Sequence, residues 1–177
     1  MRHTTNRRRG SSTIEMTLVG IPLIFVLIST VEMARGMWLY HTLAYALKEG
    51  TRFAIVHGQN CGVSPNACQV TVGQIAAVIE NAGIGLDPAL LQVRMQSLAD
   101  DTCSAGFTSS SVCTLSSIAS STTKFPTGVG GDMQAPITFT AQYPFQSAIA
   151  MFWPGAGRGM QFGTFTLPAS SQERVQF

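Results

Sequence analysis

The sequence predicts an α+β protein in which one long N-terminal helix packs on a small antiparallel sheet, with loops closed by disulfides. Three observations predict it. An uncharged run from Met16 to Val31 leads without a break into a stretch of helical periodicity. Three later segments alternate apolar and polar residues, the period of a half-buried strand. Four cysteines, at 61, 68, 103 and 113, all follow the long helix. The 177 residues suffice for one domain with a modest core, and their charged fraction of 11% is less than half the roughly 25% of soluble domains. With 17 Gly and 8 Pro as well, neither a highly charged helical bundle nor a charged disordered tail fits.

The chain opens on a basic arm containing Arg2, Arg7, Arg8 and Arg9. Of the 11 Lys and Arg, these four leave seven against nine Asp and Glu, so the remainder is slightly acidic. A nucleic-acid footprint needs a basic face rather than a tail, and no nucleic-acid partner is expected. The apolar run of 16 residues spans roughly 24 Å as a helix, short of the ~30 Å hydrocarbon core. Three readings compete for it: a cleaved secretory signal, an ordinary signal anchor, and a leader cut ahead of the run. A secretory signal wants a small-x-small site after the run, and Glu32-Met33-Ala34 supplies a poor one. Four Arg before the span and the near-cancelling Glu32 and Arg35 after it place the N-terminus in the cytoplasm by the positive-inside bias. Pro22 and Gly20 weaken the span locally.

Past Val31 the helical pattern goes on. Met33, Met37, Tyr40, Leu43, Ala44, Leu47 and Ala54 recur at steps of three and four, with Arg35, Thr42, Glu49 and Arg52 on the other side. Gly58 stands where a C-cap belongs. The expected organisation is a leader at 1–10, a transmembrane segment at 11–34, an amphipathic continuation at 35–57 and an outer α+β domain at 58–177. Glu15 needs an explanation, because a carboxylate at the mouth of a short span is costly. Cutting between Gly10 and Ser11 would create an α-amino group four residues away, a cation able to pair with Glu15 of the same or a neighbouring chain. The plainer reading is an interfacial Glu at the positive end of a helix dipole.

Gly10 with Glu15 five positions on, an Arg-rich leader before and an apolar helix after, resembles the processing site of type IV prepilins and pseudopilins. The stretch Ser12-Thr-Ile-Glu-Met-Thr-Leu-Val-Gly-Ile-Pro22, then Val31-Glu-Met-Ala-Arg35, then Ala46-Leu-Lys-Glu-Gly-Thr-Arg-Phe-Ala54, resembles TadE-like proteins, minor pilins or pseudopilins of the tight-adherence (Flp) pilus machinery. The resemblance is dense over residues 10 to 57 and schematic beyond. It implies a pilin-like fold and cleavage between Gly10 and Ser11 by an aspartic prepilin peptidase of the bacterial inner membrane. It further implies N-terminal methylation, a single-pass subunit with a periplasmic outer domain, and partnership with other Tad pilins, pseudopilins and inner-membrane assembly components. Met16 departs from the aromatic residue that many such substrates carry. On this reading Glu15 sets register with a neighbour's amino group, while Glu32, Arg35, Glu49 and Arg52 are candidate helix-face contacts. The alternative is an uncleaved, signal-anchored periplasmic binding or adhesion protein.

In the outer domain a second helix is predicted over Val72 to Ala82, stopped by Gly83. Strands are predicted at 91–96, 137–143 and 160–167. The Ser/Thr/Gly-rich stretch 100–131 lacks a helical period and reads as a long surface loop. In an oxidising compartment the cysteines read as disulfides, and Cys61 with Cys68 and Cys103 with Cys113 are favoured because each pair closes a local loop. A metal held by His57, Cys61 and Cys68 is the sharper alternative, though the spacing is not that of a paired C-x-x-C site. Nothing points to catalysis: His41 and His57 sit on a helix, there is no G-x-S-x-G, and Gly155-Ala-Gly157-Arg-Gly159 lacks the Lys-Ser/Thr ending of a phosphate loop and reads as a turn. Phe145, Phe152 and Trp153 form an aromatic group read mainly as core. No cofactor and no metal are expected.

Overall fold

The computed structural model describes residues 9–58, 61, 68–104, 106–108, 113–147 and 164–176. The elements run α1 (Arg9–Val56), α2 (Val72–Ala82), β1 (Gln92–Gln96), the single turn α3 (Leu115–Ile118), β2 (Pro136–Gln146) and β3 (Thr164–Arg174). Contacts divide the chain into two units, one of residues 1–36 with 147–163, the other of residues 37–146 with 164–177. The described part of the first is the front of α1. The second, the outer unit, holds the core and the sheet and is α+β, as the sequence predicts.

In the outer unit α1 buries Leu39, Leu43, Ala46, Leu47, Ala54 and Ile55, a stripe at steps of three and four. This corrects part of the expected face. Leu43, Leu47 and Ala54 are buried as expected, whereas Met33, Met37, Tyr40 and Ala44 are exposed and Leu39, Ala46 and Ile55 are covered. Thr51 is buried in the same stripe because its hydroxyl donates to the Leu47 carbonyl at 2.7 Å, which leaves no polar atom unpaired. Gly50 lets the neighbours close in: a Cβ there would come 2.5 Å from Cγ1 of Ile79 on α2 and 3.6 Å from Phe139 on β2.

The second helix starts at a capping box. The Gln74 amide donates to Thr71 Oγ1 at 3.3 Å, and the Thr71 amide donates to Gln74 Oε1 at 2.9 Å. It turns Val72, Ile75, Ala76 and Ile79 inward and ends at Gly83, over the predicted span.

The sheet has the order β1-β2-β3, antiparallel throughout. On β2, Ile137, Phe139, Ala141, Tyr143 and Phe145 face the core, alternating with Thr138, Thr140, Gln142 and Pro144. Pro in a central strand would delete a ladder bond. Here β1 pairs with β2 only between residues 138 and 142, so Pro136 and Pro144 fall where β2 has one neighbour. The third strand is described from Thr164 and runs past its expected end at 167, through Pro168, which faces Gln142. An edge strand tolerates Pro, and the polar run Ala169–Arg174 pairs through its backbone with Pro136–Ala141.

The stretch 100–131 is not the featureless surface loop expected. Leu115, Ile118 and Phe125, scattered among Ser and Thr, are buried. Their backbone is tied to the start of α2: the Val72 and Gly73 amides donate to the Thr123 and Ser121 carbonyls, and the Phe125 amide to Val70. The Gly155–Gly159 turn, Phe152, Trp153 and the start of the third predicted strand at 160–163 lie outside the described residues, while Phe145 is core.

Candidate membrane and assembly interface

The front of α1 carries apolar side chains all the way round. Ile14, Met16, Leu18, Val19, Ile21, Leu23, Ile24, Phe25, Val26, Leu27 and Val31 are all more than half exposed. A helix apolar on every side belongs in lipid or among other helices. The helix is long and apolar enough to cross a membrane. Its few hydroxyls suit such a place: Thr17, Ser29 and Thr30 donate to the Ile14, Phe25 and Leu27 carbonyls at 2.8–2.9 Å, so each is satisfied within the helix.

Gly10 and Ser11 lie in the first turn of α1, and Glu15 is one turn further on, at the head of the apolar stretch and exposed. Glu32 and Arg35 stand one turn apart and pair at 3.7 Å, as do Glu49 and Arg52 at 3.6 Å. The Glu49–Arg52 pair is open to solvent and adds only about 0.3–0.5 kcal/mol, whereas the Glu32 side chain is only 12% exposed beside the half-exposed Arg35.

The cysteines are elsewhere, in the outer unit. Cys61 is joined to Cys68 and Cys103 to Cys113, with Cα separations of 5.2 and 5.8 Å. His57 does not turn toward the first pair as a ligand would. Its Nδ1 donates to the Phe53 carbonyl at 2.7 Å and its ring lies 4.6 Å from that of Phe53. With both sulfurs spent on each other, the His57, Cys61 and Cys68 set does not fit a metal, and among the described residues no group of three His, Cys, Asp or Glu does.

Two acids escaped the sequence reading. The Asp100 carboxylate accepts from the Thr127 amide and hydroxyl at 2.6 Å and from Ser97 at 3.1 Å, pinning the β1 turn to a segment 27 residues away. Asp101 accepts from Arg94 Nε at 3.0 Å and Nη2 at 2.5 Å. That bond holds its carboxyl below the usual carboxylate range, against some desolvation and with help from the Cys103 amide. Both carboxylates line an open hollow of about 380 Å³ beside Lys124 and Phe125. Each is committed to holding backbone in place, so the hollow presents a fastening rather than an acid–base pair. The Arg94–Asp101 pair has a faint sequence signal, a charge on a strand and its opposite just past the following turn. The Asp100–Thr127 tie has none.

The fold and this surface define a class: an α+β outer unit carried on a single long helix whose front is built for an apolar surrounding. Residues 10–52 match the family model described as TadE-like protein. The match opens at Gly10, closes at Arg52 and takes in Glu15, Glu32, Arg35 and Glu49. No curated protein matches the chain, and no solved structure does.

Proposed function

We propose that this chain is a non-enzymatic subunit of Tad (Flp) pilus biogenesis, a minor pilin or pseudopilin, cut between Gly10 and Ser11 by prepilin peptidase and working through helix–helix contacts. The observation that carries the proposal is the coincidence of the matched segment with the bare apolar front of α1. In the inner membrane, N-terminus cytoplasmic and outer unit periplasmic, that front is stored in lipid. During assembly it exchanges lipid for the helices of other pilins and of inner-membrane components, burying comparable apolar surface in both states. Helix contacts then decide the partner, and Glu15, facing the amino group freed at Ser11, sets the register.

N-terminal sequencing of membrane-extracted protein, from cells with and without the peptidase, tests this. The expected result is a start at Ser11 that depends on the peptidase. A start at Met1 in both strains would leave a simple anchor, and the pilin reading would fall. In a cleaved background, Glu15→Gln is expected to stay membrane-bound and lose co-purification with pilus partners.

A further inference from the structure

Met16 to Val31 is too short to span a bilayer comfortably, yet exposed apolar side chains continue past it. Met33, Met37, Trp38 and Tyr40 are all exposed on α1, Trp38 at 59%. Beside Trp38 lies the turn from Gly83 to Leu86, closed by the Leu86 amide on the Gly83 carbonyl at 3.0 Å. Gly85 takes φ +88°, the left-handed conformation that lets the chain reverse here, and a Cβ on it would sit 3.8 Å from Cη2 of Trp38. The turn holds Ile84 outward at 70% exposure. A tryptophan and an isoleucine thus stand bare on two adjacent elements of the outer unit, at the residues where α1 first enters its core.

The turn is followed by the Asp87 amide, which donates to the Tyr143 hydroxyl of β2 at 3.4 Å. Asp87 is the acid next to the turn, and its carboxylate already accepts from the Ala89 amide at 2.9 Å.

Resting on the membrane reading of α1, we infer that Trp38, Tyr40 and Ile84 form a foot seated at the headgroup–acyl boundary of the outer leaflet. Tryptophan and tyrosine are the residues that favour this boundary, with an apolar ring and a polar edge. The 23 residues from Met16 to Trp38 reach roughly 35 Å, enough for the hydrocarbon core with some tilt, where 16 residues were not. The two charges within this length, Glu32 and Arg35, enter it paired with each other at 3.7 Å. The lipid boundary therefore falls near Trp38 rather than near Ala34, and continuity with the apolar front of α1 makes lipid the occupant.

The full chain in vesicles of phosphatidylcholine and phosphatidylglycerol tests this, with Trp153→Phe leaving Trp38 as the sole tryptophan. Trp38 emission is expected to be quenched severalfold more by lipids brominated near the headgroup than by lipids brominated at mid-chain, and to resist aqueous iodide. Ile84→Glu, which leaves the core untouched, is expected to restore iodide quenching. Iodide quenching without lipid quenching overturns the foot, as does shielding from both, which would mark a protein neighbour. Extraction at alkaline pH keeps the two ideas apart. Loss of the chain from the vesicles fails the membrane reading, whereas a chain that stays with Trp38 in water fails the foot alone.

Discussion

The two halves of α1 are one unbroken helix with two kinds of surface. From Ile14 to Val31 apolar side chains point in every direction and stay exposed; from Leu39 to Ile55 an apolar stripe is buried, with Tyr40 and Tyr45 left outside it. Backbone geometry is shared, so the difference lies in how many sides are apolar. The rear half is held by complementary shape, down to a glycine where a helix and a strand close in. The front half leaves its apolar side chains uncovered among the described residues.

The widest gap between the halves should appear on truncation. Leu47→Ala is expected to cost about 2–5 kcal/mol in urea unfolding of the detergent-solubilised full chain, because it opens a cavity in a closed core. Leu27→Ala should stay within ~0.5 kcal/mol in the same assay. Equal losses would mean that the front of α1 is packed as tightly as the rear.

Adding volume sharpens the contrast. Gly50→Ala forces a methyl into Ile79 and should cost about 1–3 kcal/mol. Ile79→Ala withdraws both Cγ1 and Cδ1, the two atoms that crowd the new side chain, so the double variant should lose less than the sum of the two single losses. Purely additive losses would place the strain elsewhere.

The smallest effect concerns charge. Asp101 in the folded chain titrates below the ordinary carboxylate value of about 4, chiefly through its bond from Arg94. Its contribution is therefore complete above that ordinary value and disappears as pH falls through the lower, folded one. Asp101→Asn should lower the Tm at neutral pH by more than it does in acid. A pH-independent difference would assign the effect to packing around Cys103 instead.

Much of this was legible in the residues. Val72–Ala82 shows a helical period and a stop at Gly83, and Thr71 and Gln74 spell its cap as well. The strand at 137–143 alternates clearly. The third strand was ended too early because its second half, Pro168 and the run to Arg174, is held by the backbone of β2 rather than by an apolar face of its own. On α1 Leu43, Leu47 and Ala54 are where the period puts them, but Met33, Met37 and Tyr40 were added to the stripe because they are as apolar as the buried residues; hydrophobicity alone does not say what covers a side chain. Leu115, Ile118 and Phe125 were missed for the opposite reason, since isolated apolar residues in a Ser/Thr stretch have no period to reveal them.

Val175 is fully buried, and Gln176 fastens to Ile55 at the end of α1. Residues far apart in the chain thus close one core. Synthesis delivers the stripe of α1 well before Val175, and contacts so distant in sequence form slowly. Until Val175 arrives the stripe lacks part of its cover, so the closing of the core is timed by the segment that follows β3.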